Sequence, residues 1–252
     1  MAAVRARVMW GTASQLHHKF AHHLRDFAVG TGGDFSGVNP AQLRGLIDGC
    51  RDVVCQFLEV ESCIIHATLK FIGPCPSENR SQAPIYTVAR SSQSSRTPEI
   101  GIPHPAGHNS DFSALLGCAD RQYLWSQPYS VFACGDLTAP HVHYDCSRVN
   151  WQNCYRTTLV LPLRYPDPHT LEQQFMGFLT FDSLRANVFG DIPDIFRHIG
   201  NGRDEYTEKL SKCPLVHLTG VMADILATTI FLLLSRQTPP PPLPQPTAIT
   251  DI

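Results

Sequence analysis

The chain has 252 residues, of which 43% are apolar and only 17% charged, a balance that excludes disorder of the whole chain and provides for a buried core. A net charge of -2 and a pI near 6.6 exclude a general electrostatic pull toward nucleic acid or anionic lipid. The length suits one domain of about 150 to 200 residues with extensions, rather than two domains.

In chain order, residues 12 to 27 place Ala13, Leu16, Phe20, Leu24 and Phe27 three or four apart, the narrow stripe of a helix that pairs with another helix. This predicts a dimerisation helix and linker over residues 1–38, with Gly30 to Gly37 ending the pattern. No apolar run of signal-peptide length opens the chain, and nine cysteines without regular spacing read as reduced cytosolic thiols. The expectation is a cytoplasmic protein.

Asn39-Pro40-Ala41-Gln42 supplies a cap, a first-turn proline and a glutamine for a second helix, whose Leu43, Leu46, Ile47, Cys50, Val54, Phe57 and Leu58 form one apolar side. From Ser62 to Ile72 runs one strand, and Ile85 to Arg90 a second, its antiparallel neighbour. Residues 91 to 109 are too polar and too interrupted by proline for a regular element. A short helix through Leu116 follows, then a strand over Tyr129–Cys134 and a second irregular stretch up to Asn150.

Arg156-Thr-Thr-Leu-Val-Leu-Pro-Leu-Arg164 and Phe175-Met-Gly-Phe-Leu-Thr-Phe-Asp-Ser183 read as the arms of a β-hairpin. Both alternating sets in each arm hold large apolar groups, so these are central strands covered on both faces. Asp182 reads as a turn-starting residue, with Arg164 as its cross-hairpin partner. Leu215 to Arg236 forms the last helix. A membrane span is weighed against a helix buried on the sheet, and Asp224 with three threonines and His217 favours the buried helix. The prolines after Arg236 predict an extended tail over residues 237–252.

The order of strand, proline and basic residue, hairpin loop, Gly177-Phe-Leu-Thr-Phe-Asp-Ser183 and closing helix resembles the last half of a GAF domain, clearest over residues 150–234. The resemblance implies an α+β domain over residues 39–236, with an antiparallel five- or six-stranded sheet, helices on one face and a loop-built pocket on the other. It further implies a regulatory rather than catalytic protein, which binds a small molecule and signals through a partner protein; it does not name the ligand.

The expected pocket residues are Arg90 at the end of the second strand, then Asn109, Asp111, Phe112, Asp136, Tyr144, Trp151 and Tyr155 from the irregular stretches. The alternative is that the aromatic residues only plug the sheet while the aspartates cap turns. A thiol-dependent reductase is a further alternative, because Cys118, Cys134, Cys146 and Cys154 lie where the GAF-type free methionine sulfoxide reductases use cysteines. His141, His143 and Cys146 offer metal-ligand types, but their spacing matches no closed four-ligand module. His22-His-Leu-Arg-Asp26 resembles a histidine-kinase phospho-acceptor box, yet His23 replaces its acid, Phe27 its proline, and no glycine-rich ATP segment follows.

Overall fold

A computed structural model describes residues 40–74, 80–92, 102–118, 129–166, 173–198 and 203–235. The expected dimerisation helix, the proline-rich tail and the hairpin tip fall outside the described residues. Six strands form one antiparallel sheet: β1 (His66–Ile72), β2 (Pro84–Arg90), β3 (Pro103–Pro105), β4 (Phe132–Cys134), β5 (Thr157–Pro166) and β6 (Gln173–Ser183). Their spatial order is β3-β2-β1-β6-β5-β4, so the hairpin β5–β6 is central, as its two apolar faces require. Four helices complete the fold: α1 (Pro40–Leu58), α2 (Ser110–Leu116), α3 (Arg203–Ser211) and α4 (Pro214–Ser235).

Strand alternation sets the two faces. Ala67, Leu69, Ala89, Leu159, Leu161, Leu179 and Phe181 are buried on the face covered by α1, on β1 and β2, and by α4, on β5. By length and composition α4 could cross a membrane, yet half of its apolar stretch is buried inside the fold. The opposite face carries Thr68, Lys70, Arg90, Thr180 and Asp182 together with the aromatic Phe178, and it lies beneath α2 and the loops around Tyr144 and Tyr155.

Several boundaries differ from the sequence reading. The first strand starts at His66 rather than Ser62, because residues 62–64 turn, with Ile64 N–H donating to the Glu61 carbonyl. The stretch 91–109 holds the short edge strand β3, where Pro103 and Pro105 are tolerated because an edge leaves N–H positions without a ladder partner. Arg164 does not pair with Asp182: it donates to the Tyr129 carbonyl at 3.2 Å and lies over the Phe175 ring.

Helix α3 has no apolar stripe that would announce it. It is supported by Glu205–Lys209 at 2.6 Å, by a Glu208–Lys212 pair and by the fully buried Tyr206. The Tyr206 hydroxyl accepts from Ala133 N–H at 3.1 Å and donates to the Val131 carbonyl at 3.1 Å, standing in for a neighbouring strand at the exposed edge of β4. Tyr206→Phe leaves both backbone groups buried without that partner, so it should lower unfolding stability by about 1–3 kcal/mol in urea titration. An unchanged midpoint would show that water replaces the hydroxyl.

Candidate functional site

A run of polar residues through otherwise apolar central strands builds one site. In β1 the alternation of His-Ala-Thr-Leu-Lys-Phe-Ile puts Thr68 and Lys70 on the face away from α1. Thr68 stands opposite Arg90 on one side and Thr180 on the other, and Asp182 lies two residues further along β6. A register shift between Leu69 and Lys70 sets Thr87 opposite Lys70. Lys70 Nζ donates to Thr87 Oγ1 at 3.3 Å, and Thr158 Oγ1 donates to Asp182 Oδ1 at 2.7 Å.

Two loop segments close over this face and are tied to each other. Asn109 Oδ1 accepts from the Ser147 N–H at 3.1 Å and its hydroxyl at 3.2 Å, while Ser110 exchanges two bonds with the Asp145 backbone at 2.9 and 3.0 Å. Asp111 lies in the first turn of α2 and accepts from the Phe112 N–H at 2.8 Å. Phe112 packs on Phe178 with ring centroids 4.7 Å apart, and Lys70 Nζ lies 5.4 Å from the Phe112 centroid. Cys146 Sγ and the Tyr155 hydroxyl meet at 3.0 Å.

The cavity between this face and the loops has a volume of about 50 Å³. That is room for roughly four waters or a molecule of a few heavy atoms, well short of the ~300 Å³ at which pockets for drug-sized ligands begin. Its electrostatics follow from burial. Desolvation, reinforced by the Arg90 charge, brings the Lys70 ammonium down to about 8. Desolvation pushes the Asp111 carboxyl up to about 6, against the Phe112 N–H and the Lys70 charge. Burial also pushes the Tyr144 and Tyr155 hydroxyls well above their ordinary range.

Of the residues expected from sequence, Arg90, Asn109, Asp111, Phe112, Tyr144 and Tyr155 line this cavity. Trp151 stands behind it, stacked on Tyr155 at 5.8 Å and edge-on to Tyr144 at 4.9 Å. Asp136 lies outside this cavity: it accepts from Thr138 Oγ1 at 2.7 Å and from Arg156 at 2.8 Å. Those bonds outweigh its partial desolvation and hold its carboxyl below the usual value. Thr68, Lys70, Thr180 and Asp182 were missed. Their signal was a polar residue at every second position of a central strand, and Asp182 was read instead as a turn residue.

Asp136 belongs to a larger open cleft of about 860 Å³ that also holds His141 and Asp194. There Asp194 accepts from the Phe196 N–H at 3.0 Å and meets His141 Nε2 at 2.7 Å, so its carboxylate is occupied in holding the local backbone. His141 and Cys146 thus face different partners, and among the described residues no three His, Cys, Asp or Glu side chains gather as metal ligands do. Among the eight described cysteines no disulfide forms. Neither a protein-family profile nor a curated protein matches this chain.

Proposed function

We propose that the chain is a GAF-like sensory domain that binds one small polar molecule in the cavity among Lys70, Arg90, Asp111 and Asp182 and signals through a partner protein. The observation that carries this reading is the convergence of charged side chains on one small cavity, with Arg148 beside Lys70, Arg90, Asp111 and Asp182, where Arg90, Asp111 and Asp182 are each less than a tenth exposed. Burying charge costs several kcal/mol per ion before pairing, and groups held that way cluster at functional sites. A sheet with α1 and α4 on one face and a loop-covered cavity on the other also supports the GAF likeness.

Ligand entry would favour one arrangement of the segments joined through Asn109 and Ser110, and would shift the domain only by the difference in affinity for its two arrangements. The output would pass through a homodimer built on the N-terminal helix, in the cytoplasm. Native mass spectrometry of freshly purified protein tests the reading. The expected result is a mass above that of the polypeptide, with the excess lost in Asp111→Asn. Bare polypeptide mass, with no small polar molecule raising the melting temperature, overturns it in favour of a structural module.

The reductase alternative requires a reactive pocket thiolate. Desolvation pushes the Cys146 thiol above its ordinary value despite the hydrogen bond with Tyr155. Iodoacetamide should therefore alkylate Cys146 at least about tenfold more slowly than the exposed Cys63, as read by peptide mass spectrometry over time. Equal rates would restore the reductase.

A further inference from the structure

If the cavity takes a ligand as proposed above, its chemistry can be narrowed. We propose that Lys70 holds the ligand covalently, its side-chain amine forming a reversible imine with the carbonyl carbon of a short 2-oxo acid whose carboxylate faces Arg90. The chain contains four lysines. Lys209 on α3 and Lys212 just after it are exposed and paired with glutamates, Lys19 lies outside the described residues, and Lys70 lines the cavity.

Three features make Lys70 suited to this role. Its Nζ donates to a neutral hydroxyl, Thr87 Oγ1, rather than to a carboxylate, and although Asp111, Asp182 and the Phe112 ring favour the ammonium, desolvation and the Arg90 charge outweigh them. With the amine titrating at about 8, roughly a tenth is uncharged at pH 7, where an ordinary lysine is uncharged at about one part in a thousand or less. Imine formation needs that uncharged amine, and desolvation is the usual way to obtain it.

Arg90 supplies the second point of recognition. It stands beside Thr68 across the β1–β2 ladder, on the same cavity wall as Lys70, and a planar guanidinium matches a carboxylate better than a point charge does. The cavity, about 50 Å³, limits the acid to two or three carbons.

The step balances without any oxidant or reductant. The Lys70 nitrogen bonds to the carbonyl carbon and the carbonyl π pair moves to oxygen, giving a carbinolamine. That oxygen then leaves as water, taking one proton from the nitrogen and one from an acid, and a C=N bond replaces C=O. Asp111 lines the same cavity and, titrating at about 6, keeps a protonated fraction at neutral pH to supply the second proton.

The test is reductive trapping on the full chain. Native protein is incubated with glyoxylate or pyruvate, treated with sodium cyanoborohydride, and mapped by peptide mass spectrometry. The expected result is a secondary-amine adduct on Lys70 in at least about tenfold excess over Lys209 and Lys212, an excess that is lost when the protein is unfolded in urea before treatment. Adducts on Lys209 and Lys212 without Lys70 overturn the imine. In that case the melting temperature separates the two readings: if the same acids still raise it, and Lys70→Met abolishes the rise, the cavity binds anions non-covalently and the sensory reading stands without the covalent step.

Discussion

Gly177→Ala should cost more than about 4 kcal/mol of unfolding stability, enough to leave a domain of ordinary stability largely unfolded. Gly177 sits in β6 between its two ladder partners, Phe71 of β1 and Leu163 of β5. A methyl group there would lie 1.9 Å from the Lys70 carbonyl oxygen and 2.9 Å from its carbonyl carbon. Both are backbone atoms inside the sheet, so no side chain can swing away, and relief requires β1 and β6 to part. The β1–β6 contact joins the two halves of the sheet and carries Thr68, Lys70, Thr180 and Asp182, so the cavity would be lost with it. Gly45→Ala is the matched control. Gly45 is exposed within α1 with open space where the methyl would go, and glycine is a poor helix former, so that variant should gain about 0.5–1 kcal/mol. Urea titration followed by circular dichroism reads both, and a Gly177→Ala midpoint close to wild type would mean that the central strands are more loosely paired than this register requires.

What the sequence disclosed and what it hid follow from the range of the interactions concerned. Strand alternation and helix periodicity are local, and they are legible in Arg156–Ser183 and in α1, where each apolar position repeats with its element's own period. Helix α3 was not legible because its mean composition is polar; it is anchored over long range by the Tyr206 hydroxyl on β4, more than seventy residues away. The site divides in the same way. Asn109 and Asp111 stood out because they lie in or beside long irregular stretches, which inside a compact domain are usually functional, whereas Lys70 and Asp182 looked like surface or turn residues within their strands. Only the β1–β6 pairing, which brings positions more than a hundred residues apart side by side, shows that Thr68, Lys70, Thr180 and Asp182 share a covered face. Asp136 misled for the converse reason: its loop is close in sequence to Tyr144, but it folds to the other cleft beside Arg156.

Lys70→Met should raise stability at pH 7 by about 1–3 kcal/mol, with the gain vanishing as the pH approaches about 10. The folded-state value of about 8 lies below the 10.5 of the unfolded chain, so between the two the unfolded chain binds more protons and wild-type stability rises with pH. Below about 8 the ammonium carries its full desolvation cost, on the order of 3 kcal/mol. Asp111 acts in the opposite sense. Its folded value of about 6 exceeds the ordinary 3.8, so the folded chain binds more protons between them, and stability falls as the pH rises through that window. Both costs are therefore complete between about 6 and 8, a trough at neutral pH. The difference between wild type and variant isolates each limb from groups such as Asp136: Lys70→Met removes the alkaline rise and Asp111→Asn the acid one. Because Lys70 and Asp111 attract each other, each single change also gives up that attraction while the double variant gives it up only once, so the double variant should gain more than the sum of the two single gains. A variant that is less stable at pH 7, or a difference that does not change with pH, would make Lys70 an ordinary structural residue. The predicted gain instead identifies a fold destabilised at neutral pH by the charges of its own cavity, the condition that the proposed ligand site requires.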